Sequence, residues 1–100
     1  MDIVNAIAKA RFASAKPQRV QLHKDGRAPV DLLCMEPGQS LKVSSGSWAY
    51  YVVTGKAELE SGGTTSPLPT GQLAVTAKDE VHTITAAGEQ RLVCLAIGWT

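Results

Sequence analysis

A chain of 100 residues and 10.6 kDa, 44 % apolar and 19 % charged, has room for one hydrophobic core and not for two. Ten Lys and Arg against nine Asp and Glu leave a net charge of +1, and no basic cluster dense enough to track phosphates occurs, so nucleic acid is not an expected partner. The N-terminus has no charged region followed by an apolar stretch, and no apolar run approaches a membrane span; a cytoplasmic protein without membrane contact is expected.

In chain order, the first sixteen residues stand apart. Asp2 can cap a helix, and Ile3, Val4, Ile7 and Ala8 fall on one stripe at helical spacing, which predicts a short helix ending before Pro17. Residues 1–16 are therefore expected as helix and lead-in, and 17–100 as one β domain. From there turn signals recur every 7 to 12 residues, at Asp25-Gly26, Pro37-Gly38, Ser45-Gly46, Thr54-Gly55, Ser61-Gly62-Gly63, Thr70-Gly71, Lys78-Asp79 and Ala87-Gly88. The intervening segments Arg19–His23, Val30–Met35, Trp48–Val53, Lys56–Glu60, Gln72–Val75, Val81–Thr85 and Arg91–Ile97 are short and rich in Val, Leu, Ile, Thr and Tyr, which predicts strands. Ser61–Pro69 reads as a polar loop rich in Gly and Pro. With no helical periodicity between strands, the fold class is all-β, a barrel or sandwich of mainly antiparallel strands.

Chemical signals are few. The glycines form neither GxGxxG nor GxxxxGK(S/T), so no phosphate cradle is present. Cys34 and Cys94 lie in apolar segments without metal-ligand spacing and without a basic neighbour to depress a thiol pKa, and read as free packing cysteines. Ser44, Ser45 and Ser47 lack the strand-to-helix elbow of a nucleophilic serine. Thirteen of the apolar residues are alanine, and the thin core that remains is expected to gain from a second subunit. A homodimer is expected on that ground, with Arg19–His23 as the strand edge to be covered and the N-terminal helix docking beside it.

Met35-Glu36-Pro37-Gly38, then Tyr51-Val52-Val53-Thr54-Gly55, Pro69-Thr70-Gly71-Gln72 and Val81-His82-Thr83-Ile84 resemble the small single-domain cupins, RmlC-like jelly-roll barrels, over roughly Phe12 to Ile97. The resemblance implies a cupin-type barrel of antiparallel strands. Laid on this sequence, the family's first motif puts Ser44 and Gly46 in its two histidine positions and Trp48 in its glutamate position. The second motif puts Ala77 and Asp79 in its proline and glycine positions, His82 in its histidine position and Ala86 in its asparagine position. Only His82 survives of the three-histidine, one-glutamate metal set. A catalytic metal needs about three such ligands, so no metal and no other cofactor is expected.

If the family's glutamate position faces inward, strand alternation turns Trp48, Tyr50 and Val52 inward, and likewise Glu80, His82 and Ile84. Two readings of that cluster stand side by side. In one, Trp48, Tyr50, His82 and Ser44 border a metal-free pocket for a small polar ligand, and the protein is a binding or regulatory module. In the other, the protein is a metal-independent isomerase or epimerase with His82 as general base, oriented by Glu80. The bland assignments are Trp48 as a core plug, His82 as a hydrogen-bonded structural group and Glu80 as a solvated turn residue.

Overall fold

The computed structural model describes residues 1–24 and 27–99. Among the described residues there are nine strands: β1 (Gln18–His23), β2 (Val30–Met35), β3 (Ser40–Val43), β4 (Ser47–Thr54), β5 (Lys56–Ser61), β6 (Thr64–Pro69), β7 (Leu73–Val75), β8 (His82–Ala87) and β9 (Leu92–Trp99). They form a five-stranded sheet in the order β1-β2-β9-β4-β7 and a four-stranded sheet in the order β3-β8-β5-β6, every pair antiparallel. Each predicted strand lies on an observed one. The expected Asp25-Gly26 turn falls outside the described residues. Among the described residues no helix is long and apolar enough to cross a membrane.

Two strands were absent from the sequence expectation, and both are edges of the four-stranded sheet. Ser40–Val43 is short and polar on alternate residues, which suits an edge. Ser61–Pro69, expected as a loop, is instead the end of β5 and all of β6, joined by Gly62-Gly63 with φ of 58° and 82°. Two consecutive positive φ values make the tight hairpin turn that matches strand twist, and an edge strand accepts Pro67 and Pro69 because one side of it needs no ladder donor.

The N-terminal helix also needs correction. It is a single 3-10 turn, Ile7–Lys9, with no buried residue. Asp2 does not cap it: its carboxylate lies 3.0 Å from His23 Nδ1. Ile3 and Ile7 stay in solvent, 88 % and 55 % exposed, so no buried stripe offsets the cost of nucleating a short helix. The segment after the turn is anchored. Gln39 Nε2 donates to the Ala13 carbonyl at 2.8 Å, and the Arg91 guanidinium lies 4.5 Å from the Phe12 ring centroid while bonding Glu36 at 2.6 Å.

The main core lies between the sheets, where Leu33, Met35, Tyr50, Val52, Ile84, Leu92 and Cys94 are fully buried. A second, smaller cluster lies outside the five-stranded sheet, where Ala10 and Phe12 cover Val20, Leu22, Leu32, Cys34 and Val93. This double coverage accounts for β2, whose residues from Asp31 to Met35 are all buried. It also separates the cysteines: Cys34 pairs with Val93 and Leu33 with Cys94, so the two thiols point to opposite faces and stay free. Burial pushes the Cys94 thiol up to about 12 and raises that of Cys34.

Candidate functional site

Tyr50 on β4 and His82 at the start of β8 come from different sheets and meet across the core. The Tyr50 hydroxyl lies 2.7 Å from His82 Nε2, with the rings edge to face at 5.4 Å. His82 Nδ1 lies 2.7 Å from the backbone carbonyl of Glu80. A carbonyl can only accept, so Nδ1 carries the proton, and in the neutral ring Nε2 accepts from the tyrosine hydroxyl. Burial raises the pKa of Tyr50 far above its ordinary value, which keeps the phenol protonated as that donor.

Behind Tyr50 the cluster extends to the end of the sheet. Trp48 stacks on Tyr50 with ring centroids 6.3 Å apart and planes 13° from parallel, and its Nε1 donates to the Ser45 carbonyl at 2.9 Å. The Arg19 guanidinium lies 5.1 Å from the Trp48 ring centroid and 3.5 Å from the Asp31 carboxylate. Asp31 is buried, and burial raises its pKa more than Arg19 lowers it. Trp48 is half-buried, packed against the core rather than enclosed by it.

Glu80 holds His82 through its backbone carbonyl and not through a hydrogen bond to its carboxylate. That group accepts from the Ala77 amide at 2.9 Å and from the Ser61 hydroxyl at 2.8 Å, and these two bonds hold its pKa below the usual range. It thereby ties the loop before β8 to the β5–β6 hairpin. The same loop holds Asp79 at φ 58°, the one non-glycine residue with positive φ among the described residues. Its carboxylate accepts from the Gly46 amide at 2.8 Å, and its own amide donates to the Gly46 carbonyl at 2.9 Å.

Three of the sequence-predicted residues, His82, Glu80 and Trp48, line two separate cavities. One of about 320 Å³ opens between the sheets, with His82 and Glu80 in its wall beside the hydroxyls of Ser61, Thr64, Ser66 and Thr76. Leu59, Ala74 and Val75 supply its apolar lining. The other, about 410 Å³, lies at the sheet's end against Trp48 and Trp99. Tyr50 lines neither, but touches a wall residue of each, hydrogen-bonded to His82 and stacked on Trp48. Ser44 is exposed in the β3–β4 turn and borders neither cavity. Three of these hydroxyls, Ser61, Thr64 and Ser66, were missed from sequence because they lay in the presumed loop; strand alternation on β5 and β6 would have placed them on one face.

The donor set does not fit a catalytic metal. Among the described residues no three His, Cys, Asp or Glu side chains gather in one place. Both nitrogens of His82 already have partners, and Ser44, Gly46 and Trp48 offer no imidazole or carboxylate.

The fold is that of known structures. A protein with a double-stranded β-helix domain from Klebsiella pneumoniae matches at a TM-score of 0.89 with 20 % identity, over 99 % of this chain and 90 % of that one. An RmlC-like cupin protein from Desulfovibrio desulfuricans matches at 0.82 with 21 % identity, over 98 % and 96 %. A cupin 2 conserved barrel domain protein from Salinispora arenicola matches at 0.80 with 19 % identity, over 100 % and 89 %. The chain therefore has the cupin jelly-roll fold. No protein-family model and no curated protein matches it.

The buried pair makes a stability prediction. Tyr50→Phe removes the hydroxyl that donates to His82 Nε2 and strands a buried acceptor, an expected loss of about 1–3 kcal/mol. Urea unfolding measures it. A loss below about 0.5 kcal/mol would mean that the imidazole finds another partner, and that the pair does not hold the sheets together.

Proposed function

We propose that the protein is a metal-free binding module for a small, hydroxyl-bearing ligand that is neutral or cationic, held in the cavity between the sheets. The observation that carries this reading is the chemistry of the wall: four hydroxyls, one carboxylate kept ionised, and no lysine or arginine among its described residues. Hydroxyls exchange hydrogen bonds with ligand hydroxyls, whereas a phosphate or carboxylate would meet Glu80 without a compensating cation. The volume, about 320 Å³, suits a ligand of sugar size.

Binding rather than catalysis is favoured by His82. A general base needs a free lone pair within reach of the substrate proton, and the Nε2 lone pair receives the Tyr50 hydroxyl. Calorimetric titration with inositol, glucose and glucosamine, set against inositol phosphate and gluconate, tests the ligand class. At least one member of the first group is expected to bind, with its anionic counterpart about tenfold weaker or worse. Ser66→Trp, at an exposed residue of the cavity wall, is expected to abolish that binding and leave the melting temperature unchanged. Equal or tighter binding of the anions, or full affinity in Ser66→Trp, would overturn the reading.

A further inference from the structure

We propose, resting on the reading of the cavity between the sheets as a ligand site, that its ligand carries a primary ammonium group on a hydroxylated body, an amino sugar or amino polyol, with the ammonium seated on Glu80 and Ser61. The protons and lone pairs that the wall has left to offer narrow the class in this way.

Glu80 and Ser61, bonded to each other, have only acceptors to give. The Glu80 carboxylate accepts from the Ala77 amide through Oε1 and from the Ser61 hydroxyl through Oε2. A carboxylate has about four lone-pair sites, so each oxygen keeps about one for a ligand. Ser61 has a single proton, for which Glu80 Oε2 at 2.8 Å and the Val81 carbonyl at 3.0 Å compete. Both of these only accept, so whichever takes the proton, the serine Oγ has only lone pairs left. His82 adds no donor, because Nδ1 is committed to the Glu80 carbonyl and Nε2 receives the Tyr50 hydroxyl.

A ligand hydroxyl suits this pair poorly. It brings one proton, and its own lone pairs then face those of the serine and the carboxylate. An ammonium brings three donors and no lone pair, and its charge answers a carboxylate that no lysine or arginine among the described wall residues neutralises. A quaternary ammonium would answer the charge alone, and these wall residues include no phenylalanine, tyrosine or tryptophan to cage it.

The remaining hydroxyls present the opposite chemistry. Thr76 Oγ1 accepts from the Trp48 amide at 3.0 Å, which leaves the threonine proton free to donate. Thr64 and Ser66 hold no side-chain hydrogen bond to any described residue, so each can both donate and accept. These three suit ligand hydroxyls, and the amine end is thereby told apart from the rest of the molecule.

Calorimetric titration of the full chain at neutral pH with glucamine and sorbitol, which differ only in an amine for a hydroxyl, tests the proposal. A primary alkyl amine stays protonated there, as a lysine does. Glucamine is expected to bind about 30-fold more tightly than sorbitol, or better. Glu80→Gln keeps an acceptor for Ala77 but turns N–H donors into the seat, and is expected to bring glucamine within about threefold of sorbitol. Sorbitol binding as tightly as glucamine would overturn the proposal and leave the cavity a site for neutral polyols. Binding of inositol without glucamine would do the same, whereas binding of none of these would overturn the ligand site as well. An undiminished preference in Glu80→Gln would also overturn the proposal. If that variant does not fold, N,N,N-trimethylglucamine on the wild type decides: affinity about tenfold below that of glucamine supports N–H donation to the seat, and equal affinity overturns it.

Discussion

Trp48→Ala is expected to destabilise the protein by about 3 kcal/mol, at the lower end for a tryptophan truncation because the ring is only half-buried. The loss has identifiable parts. One face of the ring lies directly over Gly98, where the position a β-carbon would take is 3.0 Å from two ring carbons. Arg19 lies over the ring, Tyr50 stacks alongside, and Nε1 closes the Ser45 turn. Truncation leaves Tyr50 open to solvent and the bare backbone of β9 uncovered. Urea unfolding measures the effect, and a loss below about 1 kcal/mol would make the indole a loose surface group. Gly98→Ala supplies the partner measurement. Its φ is unremarkable for any residue, so its cost comes from pressing on the indole, and that cost should shrink in the Trp48→Ala background.

Trp48 also shows what could be read ahead of the structure. Strand alternation from one assumed inward position placed Trp48, Tyr50 and Val52 on a common face with His82 and Ile84 opposite, and the core holds Tyr50, Val52 and Ile84 with His82 at its end. The rhythm of turns revealed the class because it bounded strands as different as the apolar β9 and the alternating β1. The edges β3 and β6 escaped, since a strand with one free side can carry lysine, threonine and two prolines and look like a loop. The cavity hydroxyls of Thr64 and Ser66 escaped with β6. The N-terminal stripe misled for the opposite reason: helical spacing is necessary for a buried face but does not supply the surface to bury it against. Asp79 was legible only by position. It stands in the Lys78-Asp79 turn signal, and its left-handed backbone is held by a carboxylate and an amide that both bond Gly46.

The largest single-residue effect is expected at Gly55, where Gly55→Ala should cost about 3–5 kcal/mol. This glycine turns β4 into β5 at φ 79°, a conformation that costs any residue with a β-carbon about 1–2 kcal/mol. The remainder comes from close approach. A β-carbon would sit 2.4 Å from the Arg91 carbonyl oxygen and 3.2 Å from Leu92 Cα, and both are backbone at the start of β9, which cannot swing aside as a side chain can. The turn is further fixed by Thr70, whose hydroxyl donates to the Gly55 carbonyl, so moving it away from β9 would disturb the β6–β7 connection as well. Gly62→Ala separates the two contributions, because Gly62 has φ 58° but nothing within 4 Å of its β-carbon position. It should cost only the conformational share, about 1–2 kcal/mol. Equal losses for the two variants in urea unfolding would show that the contact with Arg91 is relieved by a shift of the turn; a Gly55→Ala loss exceeding that of Gly62→Ala by about 2 kcal/mol is the expected result.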